Sequence, residues 1–169
     1  MAKQLSLREF QQGLAHRLRE AQVEAEPSSR LSVEAGKGNW LLKLDEAGEM
    51  LPLPEISSVP LTKPWYLGLA NIRGVLSSVV DFGAFMDGEP TVRTPDCRLL
   101  LITERFKSFS GLMIGRMLGL KNVQNMELVE GTRRRPWIGA TYRDQDGRVW
   151  NELDVGALVA NEEFLQVGA

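Results

Sequence analysis

The chain has 169 residues, 43% of them apolar and 25% charged, with a formal net charge of −2. That is enough apolar material for one ordinary core, or for two small ones that share an interface. The near-neutral balance gives no field that would draw nucleic acid or anionic lipid, and no apolar run approaches the about 18 residues that cross a bilayer. The first residues lack the apolar core of a signal peptide. The single cysteine, Cys97, cannot form an internal disulfide; next to the apolar run 98–102 it reads as a buried free thiol in a reducing compartment. The expectation is a soluble, cytoplasmic protein without direct membrane insertion.

Residues 1–30 predict an amphipathic helix followed by a linker. Ser6 and Glu9 form a capping box, and Leu7, Phe10, Leu14 and Leu18 make one apolar stripe at helical spacing. Such a stripe most often packs on its own domain and less often takes a partner's helix. Pro27 ends the helix near Glu26. Residues 31–169 have a different texture: short aliphatic and β-branched runs broken by Gly, Asp and Asn, the pattern of a sandwich or barrel. Residues 40–44 predict a strand, 45–48 a turn, and 49–51 the start of a return strand cut short by Pro52 and Pro54. Residues 67–72 and 75–82 predict a hairpin about a turn at Arg73-Gly74. Residues 98–103 predict an apolar strand, with a return over 109–117. Residues 139–143 and 148–153 predict another hairpin about Asp146-Gly147. Residues 87–96 and 119–135 read as irregular connectors, the second with a helical turn near Met126.

Two segments repeat. Residues 64–85 and 136–158 both open on Pro-Trp, carry a Gly three residues after the Trp or two after it (Gly68, Gly139), pass through a turn ending in Gly, and close on Asp-x-Gly-Ala. The offset is 137 − 65 = 72 at the tryptophans and 154 − 81 = 73 at the aspartates. A duplication of this kind sets the architecture. It also decides how the short motifs inside it read. Asp81-Phe82-Gly83 matches the magnesium-holding triplet of kinases, but Asp154-Val155-Gly156 stands at the equivalent place without the Phe, and the other kinase motifs are missing; both read as strand-end turns. Asp144-Gln145-Asp146-Gly147 begins like a calcium loop but has Val155 where the closing Glu belongs. His16 is the only histidine and brings no catalytic partner with it. No phosphate loop, dinucleotide fingerprint or zinc spacing is present, so no cofactor, metal or catalytic residue is expected. Arg133-Arg134-Arg135 with Lys121 reads first as a solvated basic loop and second as a site for an acidic partner. Arg73, at a hairpin tip between apolar strands, reads equally as a partner contact or as a surface arginine paired with a local carboxylate.

Residues 65–81 (WYLGLANIRGVLSSVVD) resemble the central signature of CheW-like domains: a Gly, then Asn-x-Arg-Gly, then a strand ending in Val-Asp. Leu51-Pro52 followed by Ile56 and Val59, Gly111 to Ile114, and Leu153-Asp154 resemble further strands of that family, so the likeness spans roughly residues 38–160. The N-terminal stripe is similar to the branch of the family found in the type IV pilus, or twitching-motility, system. The resemblance implies a mainly β fold of two five-stranded SH3-like β-barrels around a shared core. It implies no enzymatic activity, and an adaptor that joins the cytoplasmic tip of a methyl-accepting chemoreceptor to a CheA-type histidine kinase. On it, the expected partner-binding residues are Ile56, Ser58, Asn71, Ile72, Arg73 and Gly74. The chain departs from the family at Ser58, where a Glu is usual, so Arg73 must have a different partner or be free for one. It departs again at Ser78, where the family has Pro, and at Gly115-Arg116, where it has Asp-Glu. Two other readings remain beside the adaptor: a stand-alone SH3-like or OB-like nucleic-acid-binding module, and a hydrolase or transferase using Asp81 and Asp154.

Overall fold

A computed structural model describes residues 27–130 and 135–169. The expected N-terminal helix, which ends near Glu26 and carries His16, and the pair Arg133-Arg134 lie outside the described residues, while residues 29 and 30 of the expected linker begin β1. The strands are β1 Ser29–Ala35, β2 Gly38–Lys43, β3 Ala47–Pro52, β4 Tyr66–Ile72, β5 Val75–Asp81, β6 Arg98–Ile102, β7 Ser110–Ile114, β8 Arg116–Asn122, β9 Glu127–Val129, β10 Ile138–Arg143 and β11 Val149–Leu153. Short helices follow two of them: α1 Phe82–Asp87, then α2 Val155–Ala160 and α3 Glu162–Leu165. One sheet has the order β8-β1-β2-β11-β10-β9 and the other β3-β6-β7-β5-β4. No helix among the described residues is long and apolar enough to cross a membrane.

The duplication is visible strand by strand. Each copy is an antiparallel hairpin, β4–β5 or β10–β11, with a register irregularity at its base, between Tyr66 and Gly68 or between Ile138 and Thr141. In each, the second strand pairs in parallel with a strand from elsewhere in the chain, β5 with β7 and β11 with β2. The Asp81 amide donates to the Trp65 carbonyl and the Asp154 amide to the Trp137 carbonyl, both at 2.8 Å. Ser57 bridges to Leu69 as Val129 pairs with Thr141. The β9 strand, which makes one sheet six-stranded where five were expected, is therefore the longer counterpart of that single bridge. The close approach there depends on Gly68: at φ +134 a Cβ would stand 2.0 Å from the Ser57 carbonyl oxygen, a place only glycine can occupy.

One cluster of buried side chains draws on both sheets. Leu31, Val33, Trp40 and Leu42 come from one and Val80, Leu100, Leu112 and Ile114 from the other. The tryptophans of the two Pro-Trp pairs meet here. Trp65 and Trp137 both pack on Phe85, at ring separations of 5.0 and 5.1 Å, and Phe164 of α3 stacks on Trp65. Cys97 is buried as a free thiol.

Three sequence expectations need correction. The turn at Leu44–Glu46 does not make a hairpin: β3 leaves β2 and pairs with β6 in the other sheet. The free edge of β2 is taken by β11, and β3, with Pro52 unable to donate, sits at a sheet edge as proline requires. Residues 119–135 are not simply irregular. They hold the end of β8, a 3-10 turn at Val123–Asn125 and β9; as outer strands facing solvent on one side, β8 and β9 lack the apolar run that marks an interior strand. Asp81 and Asp154 end their strands as expected, but each is a helix N-cap, accepting from the amides of Ala84 and Ala157.

These caps also account for the paired aspartates. Asp81 is buried and accepts from Ala84 N, Thr91 N and Thr91 Oγ1 at 3.0, 2.8 and 2.6 Å. Its lone pairs are spent on structure. Asp154 is exposed and caps α2 alone. In urea denaturation Asp81→Ala is expected to cost about 3 kcal/mol, because the half-buried Thr91 donors lose their buried acceptor along with the cap. Asp154→Ala should cost about 1 kcal/mol.

Glu46, in the crossover between sheets, is buried beside the Val155 amide and Arg105. Burial raises its pKa above the ordinary 4.5, against the opposing pull of the Val155 amide. The folded state therefore holds this proton more tightly than the unfolded chain does. The stabilisation is complete below 4.5 and is lost as pH rises through the raised value. Glu46→Gln should flatten the dependence of the melting temperature on pH in that window.

Candidate partner-binding surface

The turn between β4 and β5 has both central residues at positive φ, Arg73 at 52° and Gly74 at 84°. That is the backbone of a two-residue I′ hairpin turn. Asn71 Oδ1 accepts from the Gly74 amide at 2.7 Å and fixes the tip. The turn throws the Arg73 side chain outward, where it pairs with Glu49 of β3: Nη1 donates to Oε2 at 2.6 Å and Nη2 to Oε1. Glu49 is thus the different partner that Ser58 could not be. The pair raises the already high pKa of Arg73, so the guanidinium stays charged at any working pH. β3 and β4 are opposite edges of their sheet, so the sheet curls far enough for the hairpin tip to reach the other edge.

The six expected partner-binding residues fall in two places. Asn71, Ile72, Arg73 and Gly74 lie together at the hairpin tip. Ile56 is half-buried and packs under the small cluster of Ala70, Val79 and Leu99. Ser58 is exposed beside Gly68, at the other end of β4.

Below the tip lies a groove of about 770 Å³, within the size range of ordinary binding pockets. Ile72, Val75 and Ser77 line it from the hairpin, Leu101 from β6, and Phe109 from the approach to β7. Phe109 is 65% exposed and Val75 45%. Glu49, Arg73, Glu104 and Lys107 form its charged rim. An apolar floor with a charged rim suits a protein contact, with buried apolar groups supplying affinity and charges setting orientation. Sequence reasoning missed Glu49, Lys107 and Phe109. Only Phe109 left a signal, an aromatic residue set among Lys107, Ser108 and Ser110.

A family model described as CheW-like domain matches residues 30–163. The chain belongs to the CheW-like family. It is 28% identical over 155 residues to Protein PilI of Pseudomonas aeruginosa, covering 87% of this chain and 84% of that protein. Its fold is similar to that of the scaffolding protein TtCheW from Thermoanaerobacter tengcongensis, with a TM-score of 0.64, 13% identity, and coverage of 76% of this chain and 89% of that one. CheW-like proteins are non-enzymatic scaffold adaptors of chemosensory signalling, and the expectation of no enzymatic activity rests on this membership. The matched segment starts within β1 and ends within α3, so both hairpin copies lie inside the CheW-like domain.

Proposed function

We propose that the chain is a cytoplasmic adaptor that couples a methyl-accepting chemoreceptor to a CheA-type histidine kinase in control of type IV pilus, or twitching, motility. The observation that carries this reading is similarity to PilI along 87% of the chain, over a CheW-like domain. Fold alone would leave the role open. The supporting geometry is the surface at the β4–β5 tip, where a charged Arg73 stands over an apolar groove. In this reading the two sheets form SH3-like barrels. Residues 31–169 act as one CheW-like domain, and the tip residues Asn71 to Gly74, with Ile56 and Ser58 along β4, face partners.

Isothermal titration of the purified chain against the regulatory domain of the CheA-type kinase, and separately against the receptor's cytoplasmic tip, tests it. Saturable binding to each is expected. Saturable, steeply salt-dependent binding to single-stranded oligonucleotides, with none to either protein, would replace the adaptor with a nucleic-acid module.

A further inference from the structure

One cross-strand pair differs sharply in bulk between the two copies. Ala70 faces Ser77 across β4–β5, and Tyr142 faces Trp150 at the matching place across β10–β11. Two small side chains in the first copy stand where the second has two large aromatics. Trp150 is fully buried. Its indole N–H donates to Asp144 Oδ2 at 2.9 Å and the Lys121 ammonium lies over its ring at 4.7 Å. Ser77, at the matching place, lines the open groove under the hairpin tip. Cations stand at that groove as well: Lys107 and Arg73 are on its rim.

From this we infer that the groove is a socket for one aromatic side chain, tryptophan or tyrosine, presented by a protein partner. The second copy carries its own occupant, and the first leaves the place to another molecule. The chemistry of the internal occupant defines the external one: a flat ring on an aliphatic floor of Ile72 and Leu101, flanked by Val75 and Phe109, with a cation over its face. The socket deepens the adaptor reading, since it names what a partner must offer, but ring binding can be measured without any partner.

The test is an amide-resolved NMR titration of the full chain with N-acetyl-tryptophanamide and N-acetyl-tyrosinamide, with N-acetyl-leucinamide as the control. Saturating shifts are expected at Ile72, Ser77, Leu101 and Phe109 with the aromatic amides, and at least about tenfold weaker binding of the leucine amide. Ser77→Trp, which gives the first copy the second copy's residue, should abolish these shifts. Phe109→Ala removes an exposed side chain, keeps the fold, and should weaken ring binding should Ser77→Trp fail to fold. Absence of groove shifts with the wild-type chain, equal response to the leucine amide, or unaltered binding by Phe109→Ala would overturn the socket. Ring binding without kinase or receptor binding would leave the socket standing and remove the adaptor. Kinase or receptor binding without ring binding would do the reverse.

Discussion

Glu152→Ala is expected to lower the unfolding free energy by about 3 kcal/mol, the low end of the usual cost of breaking a buried ion pair, because Arg30 keeps its bonds to the Pro27 and Ser29 carbonyls. Glu152 Oε2 accepts from Arg30 Nε at 2.6 Å, and the two side chains are 11% and 12% exposed. The strand pairing shows what this pair replaces. Val79 lies opposite Gly111 in the parallel pair of the first copy, and Glu152 lies opposite Leu41 in the second. Gly111 in turn faces Leu101 as Leu41 faces Ser32, and two residues further back along those strands stand Leu99 and Arg30. The buried pair Val79 and Leu99 of one copy is thus a salt bridge in the other. The double variant Arg30→Leu/Glu152→Val should recover wild-type stability or exceed it, since a well-packed apolar pair does not need the desolvation of two charges to be offset. Urea denaturation of both single variants and the double checks this. A double variant as unstable as either single would break the equivalence of the two copies.

Arg73→Glu is expected to weaken binding to the cognate receptor tip at least about tenfold while the melting temperature moves by no more than about 3 °C. The stability effect is small because Arg73 is 70% exposed and its bond to Glu49 competes with water. The binding effect is large because the turn geometry aims the cation off the hairpin tip over the groove. A charge swap, Arg73→Glu/Glu49→Arg, rebuilds the ion pair in the opposite sense. On the proposed adaptor reading the partner meets a cation at the tip, so the swap, which puts that cation on β3, should leave binding impaired. Collapse of the fold, with no selective loss of receptor binding, would assign Arg73 to structure alone.

How much of this was legible in the sequence follows from where each signal lives. The β4–β5 hairpin was legible because Arg-Gly at its tip and apolar runs on either side are local features. The duplication was legible because Pro-Trp and Asp-x-Gly-Ala recur at nearly one offset, and both ends proved to hold equivalent backbone bonds. The placement of β3 was not legible. Its partner β6 lies some fifty residues on, and an adjacent turn looks the same whether the chain folds back or crosses to another sheet. β8 and β9 were missed because edge strands half-open to water lack an apolar run. The Arg73–Glu49 pair was out of reach for a further reason. It joins opposite edges of one sheet, so it depends on how far that sheet curls, which no local pattern encodes. The six expected partner-binding residues came from two stretches of the family resemblance, and the structure keeps them apart: Ile56 and Ser58 are separated from the tip because β4 runs from one group to the other.

An adaptor bridges two proteins, and that is the role proposed for this chain. The most direct measurement is phosphoryl transfer to the CheA-type kinase in the presence of the receptor's cytoplasmic fragment, with and without the chain. Kinase activity that responds to the receptor only when the chain is added, and is lost again with Arg73→Glu, is the predicted result. Receptor control of the kinase that is the same without the chain, or absent in its presence, would contradict it.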